Sequence, residues 1–62
     1  MDEPLLRFFD TMYLQAWLQH IGEPFRRMAL EICMSFSAGP ERTICLRKLL
    51  EARDAAVRAY AQ

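Results

Sequence analysis

Three groups of residues have types and spacings that could do chemistry. The first is Gly39-Pro40-Glu41-Arg42-Thr43. A proline after a glycine opens a helix, so free backbone amides, the Arg42 guanidinium and the Thr43 hydroxyl converge at one end and suit an anion. Glu41 competes, because its own carboxylate satisfies the same amides. The second is Arg53, between Leu50 and Val57 inside an apolar arc. An arginine there meets an acid, a ligand phosphate or water along an oligomer seam, or lays its stem on apolar surface with its head in solvent. The third is the aromatic set Phe8, Phe9, Tyr13 and Trp17. Aromatics with arginines stack bases and hold phosphates; they also build ordinary oligomer cores, the better-ranked reading on the residues alone.

No catalytic constellation is present. His20 has no cysteine or carboxylate partner at a convincing spacing, and a packed or partly exposed histidine is the favoured reading. One histidine and two cysteines, Cys33 and Cys45, do not make a zinc site. Cys45 opens a helix but lies on an alanine-rich row, which favours burial over reactivity. Gly22 and Gly39 each stand alone beside a turn proline rather than in a phosphate-cradling repeat. Catalytic residues, metal and cofactor are therefore all expected to be absent.

The elements that position these residues follow from punctuation and period. Gly22-Glu23-Pro24 and Ser37-Ala38-Gly39-Pro40 each offer a glycine to close one helix in a left-handed cap and a proline to open the next. They predict three helices, near 3–21, 24–36 and 40–60, in an all-α single domain over 1–62. Helix 1 is apolar on two sides, with Leu5, Phe9, Met12 and Ala16 on one and Leu14, Leu18 and Ile21 on the other. In helix 3, Cys45, Leu49, Ala52, Ala56 and Ala59 form a small-residue seam suited to close helix packing, beside Leu46, Leu50, Val57 and Tyr60. Its opposite face pairs Arg47 with Glu51 and Asp54 with Arg58 at i,i+4. Helices apolar over such wide arcs are buried on both sides, which predicts a homo-oligomeric bundle.

Composition sets the frame. Sixty-two residues with 53% apolar content and eight basic against eight acidic side chains are too few for an enzyme with its own pocket. Zero net charge argues against duplex nucleic acid. The acidic start and the lack of a long uncharged run argue against export and membrane insertion. The balance is uneven: residues 1–25 carry four acids against Arg7, whereas residues 26–62 carry seven bases against four acids. Seven of the eight bases are arginine, the side chain suited to forked contacts with phosphate.

The stretch from Gly39 to Ala52 resembles the signature of the phage anti-CBASS sponges, small proteins that sequester cyclic oligonucleotide signals. The matching positions are Pro40, Glu41, Arg42, Thr43, Leu46, Lys48, Leu49, Glu51 and Ala52, with Ala56, Ala59 and Ala61 continuing an alanine-rich tail. The resemblance covers about residues 26–61. A full helix with Tyr13, Trp17 and His20 stands where that family carries a Phe/Tyr-His-Pro-like segment.

The resemblance implies a helical homo-oligomer, in that family a hexamer, with nucleotide pockets between protomers. It implies a non-catalytic protein of the host cytoplasm that binds cyclic di- or trinucleotides and blocks antiphage signalling. On this reading Arg42 and Thr43 hold phosphate or a base edge, and Arg26 and Arg27 lend charge. Tyr13 or Trp17 stacks a base, and Arg53 is a further ligand contact. The alternative is a small helical phage protein that inhibits a host protein by direct contact.

Overall fold

The computed structural model describes residues 4–9 and 16–61. Within them lie a 3₁₀ helix over Pro4–Phe9, α1 over Ala16–Ser35 and α2 over Pro40–Ala61. No strand occurs among the described residues, in agreement with the all-α expectation. None of the described helices is long and apolar enough to cross a membrane.

The start of α2 at Pro40 is where the sequence puts it, and the Thr43 amide donates to the Gly39 carbonyl at 3.1 Å to close its first turn. The break at Gly22-Glu23-Pro24 does not form. Instead α1 runs through Pro24 without interruption. The reason is phase: Trp17, Ile21, Phe25, Met28 and Ile32 recur at helical spacing on both sides of the proline, so one continuous helix keeps the row in register. Pro24 points to solvent, and Glu23 is clasped by the Arg26 Nε and Nη2 at 3.0 and 2.6 Å, an i,i+3 pair across the proline turn. Neither glycine adopts a positive φ, so the expected left-handed caps are absent too. The end of α1 is closed by the Phe36 amide donating to the Ile32 carbonyl and by a side chain from α2, described below.

Proline in mid-helix removes the amide that would reach the His20 carbonyl. Replacing Pro24 by alanine restores it and is expected to stabilise the fold by about 1 kcal/mol. Thermal denaturation should show this as a rise of about 4–8 °C in Tm.

Residues 36–39 turn the chain so that α1 and α2 form an antiparallel hairpin. Its free end is fastened by Trp17, stacked on Tyr60 with ring centroids 5.0 Å apart and planes at 16°. A two-helix hairpin has two long grooves. The 3₁₀ helix lies over one of them, with Phe9 sealed in a core with Ala29 and Leu46. All the buried described residues, Phe9, Gly22, Ala29 and Leu46, belong to this side or to the hairpin's midline. None of the described residues lies over the other groove. Its α1 wall is the row through Ile21, Phe25, Met28 and Ile32, none of them fully buried, of which Phe25 and Ile32 also pack against the core. Its α2 wall is the small-residue row, whose Leu49 and Ala56 are half-buried and whose Cys45, Ala52 and Ala59 are exposed. The small-residue seam therefore borders the helix contact without being closed by it.

Candidate functional site

One cavity among the described residues opens where the 3₁₀ helix crosses the hairpin. It has a volume of about 390 Å³ and is lined by Phe8, Leu18, Gly22, Arg53, Asp54, Val57 and Arg58. Each wall has a local cause. Gly22 is buried and contributes backbone alone to the α1 wall. Leu18 and Val57 supply apolar floor from α1 and α2. Phe8 precedes the buried Phe9 in the tight helix, and its ring is turned outward and is 48% exposed. The Arg7 guanidinium lies over that ring, 5.1 Å from its centroid.

Arg53 is the fixed cation of the site. Its Nη1 donates to the Phe8 carbonyl, and its Nε and Nη2 donate to Asp54 Oδ1 at 3.3 and 3.0 Å. Its guanidinium also lies over the Phe9 ring at 5.8 Å. Of the fates the sequence allowed for Arg53, meeting an acid is the one observed, with a backbone carbonyl added.

Because Asp54 is taken by its neighbour, the i,i+4 pair of Asp54 with Arg58 does not form among the described residues, nor does that of Arg47 with Glu51. Arg58 consequently lines the cavity with its charge uncompensated by a described partner. Sequence reasoning missed this residue by placing it on a solvated, paired face. The available signal was Arg53 beside Asp54, an equally charged competitor for the same carboxylate.

The other sequence candidates are spread along the molecule. Arg42 is half-buried at the turn, where its Nη1 donates to the carbonyls of Phe36 at 2.9 Å and Cys33 at 3.3 Å. Thr43 is half-buried beside it. A cavity of about 340 Å³ lies at this end, with Glu41, Arg42, Phe36 and Cys45 among its walls. Arg26 is engaged with Glu23 and lines a third cavity of about 280 Å³ with Arg7, Leu6, Phe9 and Leu30. Arg27 is exposed, Trp17 is stacked on Tyr60, and Tyr13 lies outside the described residues. Arg42 and Thr43 at the turn and Trp17 at the free end occupy opposite ends of a hairpin within a molecule 36 Å long, so one protomer does not gather them into one site.

Chemically, the cavity beside Phe8 offers two guanidiniums against one carboxylate, an aromatic ring and an apolar floor. No serine, cysteine or histidine lines it. No cluster of potential metal ligands occurs among the described residues, and both cysteines are free thiols. This is equipment for holding an anion attached to a flat apolar group. Comparison with known protein families, with characterised proteins and with solved structures gives no match for this chain.

Proposed function

We propose that this chain is a non-catalytic binding protein that sequesters cyclic di- or trinucleotides in the host cytoplasm and so blocks antiphage signalling. It does so as a homo-oligomer, the hexamer of the sponge family being the reference arrangement. The observation that carries the ligand class is the placement of Phe8 beside Arg53 and Arg58 over the floor of Leu18 and Val57. A nucleotide needs a surface to stack its base and a cation for its phosphate, and both stand within one cavity here. The volume is near the lower end of the roughly 300–1,000 Å³ of ligand pockets. One nucleoside phosphate unit fits, and the remainder of a cyclic ligand extends toward solvent or a neighbouring protomer. Arg42 then acts mainly by holding the turn of the hairpin in shape.

Calorimetry of the purified chain against cyclic di- and trinucleotides, with linear mononucleotides as controls, tests this directly. Binding with a Kd near or below about 1 µM is expected for a sequestering protein. Arg58→Ala should weaken it by about 10- to 100-fold, the loss of one charged contact. Its helical circular dichroism should not change, since Arg58 is exposed. Absence of heat with every nucleotide would end this reading. Direct inhibition of a host protein is favoured by a separate observation, the Met34 side chain on the outside of α1, which is 76% exposed. That alternative predicts a stable complex with a host protein and no heat with nucleotides.

A further inference from the structure

We infer that the groove of the hairpin that no described residue covers is the docking face for a second copy of this chain, related by a two-fold axis running along the hairpin. This rests on the self-association part of the reading above and is independent of its ligand.

The two walls of the groove differ in size in a self-complementary way. The α1 wall carries large side chains, Ile21, Phe25 and Met28, and the α2 wall carries Ala52 and Ala56. In the hairpin, Trp17 lies level with Tyr60 through their stacked rings, and Ile32 and Cys45 line one cavity near the turn. A two-fold axis along the hairpin preserves these levels while laying each α1 over the second copy's α2. Phe25 then comes over Ala52 of the second copy and Ile21 over its Ala56, large residue onto small, while Met28 meets its Leu49 as an apolar pair. The wall residues are apolar, and charge enters at the turn end, where Glu41 and Arg42 line the cavity shared by Ile32 and Cys45; Arg42 is already engaged there by the Cys33 and Phe36 carbonyls.

The rim obeys the same operation. Glu31 flanks the α1 wall and Lys48 flanks the α2 wall, both exposed. With the walls superposed, Glu31 of one copy stands within about 3 Å of level with Lys48 of the other, and symmetry repeats the pair. Size and charge therefore select one register of one partner.

The area is sufficient. The molecule measures 36 × 20 × 16 Å, and its broad face offers at most about 700 Å² per copy. Both copies together bury up to about 1,400 Å², within the roughly 1,200–2,000 Å² of stable specific interfaces. The chain has surface to spare: it exposes 4663 Å², against about 4,200 Å² for a compact monomer of its mass.

Sedimentation equilibrium of the full chain without nucleotide, over nanomolar to high micromolar concentrations, tests the proposal. A particle of twice 7.3 kDa, or an even multiple of it, is expected. Ala52→Glu, at a position exposed in the single chain, should give a 7.3 kDa particle of unchanged helicity. Glu31→Lys should raise the dissociation constant roughly tenfold, and adding Lys48→Glu to it should restore the original value within about threefold. A 7.3 kDa particle at every concentration overturns the proposal. So does association that neither Ala52→Glu nor the charge exchange alters. A chain that stays single but gains mass with a host protein assigns the groove to that partner and likewise overturns the two-fold. Nucleotide binding by a chain that proves monomeric would leave the ligand reading standing and remove this one.

Discussion

Replacing Phe9 by alanine is expected to destabilise the fold by about 3–5 kcal/mol. Phe9 is 1% exposed and is the largest fully buried side chain among the described residues, packed with Ala29 and Leu46. A domain of this size rarely draws more than about 3–5 kcal/mol from its core, so the loss approaches the whole. The variant should be substantially unfolded near 37 °C, seen as a lost cooperative melt by circular dichroism. Phe8→Ala is the contrast, since its ring is half exposed and its removal leaves no sealed void. It should change stability by about 0.5 kcal/mol or less. Equal effects from the two neighbouring phenylalanines would mean that the 3₁₀ helix does not seat as described. Because the proposed association would stabilise only the folded chain, both melts need matched protein concentrations.

The difference between Phe8 and Phe9 marks what the sequence reveals and what it hides. Periodicity alone predicts an all-α chain and places α2 correctly, because Pro40 opens it and the leucine and alanine rows have a single phase. It fails at Gly22-Pro24, where local punctuation is read as a break. Glycine and proline disfavour helix by about 1 and 3 kcal/mol, but a helix whose apolar row continues beyond them recovers this through packing. The row Trp17, Ile21, Phe25, Met28 and Ile32 was visible as a sequence, though only the assembled hairpin shows that its two halves share a groove. The tight 3₁₀ turn that sends Phe9 inward and Phe8 outward is a tertiary effect with no signature in adjacent, identical residues.

The site is legible to a similar depth. Arg53 declared itself, because an arginine in an apolar arc requires a partner. Which partner it takes depends on two cations competing for Asp54, and the outcome sets Arg58 loose at the cavity. Arg42 shows the opposite limit. Its neighbours suggest an anion site, but the end of α1 leaves carbonyls without helical donors, and a guanidinium one turn into α2 is placed to satisfy them. A sequence does not show which carbonyls will lack donors until the helix end is fixed.

Arg42 therefore carries the second large prediction. Arg42→Ala is expected to lower the unfolding free energy by about 1.5–3 kcal/mol, because charged hydrogen bonds to Cys33 and Phe36 carbonyls are lost together. An arginine retained purely for ligand would cost almost nothing when removed. Arg42→Lys discriminates further: an ammonium keeps the charge but lacks the planar fork, and it should recover no more than about half of the loss. Denaturant titration of the three proteins at one concentration measures the order, with the slope m expected to stay constant if the hairpin itself is retained. Nucleotide calorimetry on Arg42→Lys, below its unfolding range, then separates the two roles. Affinity close to that of the parent, with reduced stability, identifies Arg42 as the clamp of the turn, while Arg58→Ala shows the reverse pattern of weakened binding on an intact fold. If Arg42→Lys instead abolishes binding at unchanged stability, the ligand sits at the turn and the cavity beside Phe8 is not its site.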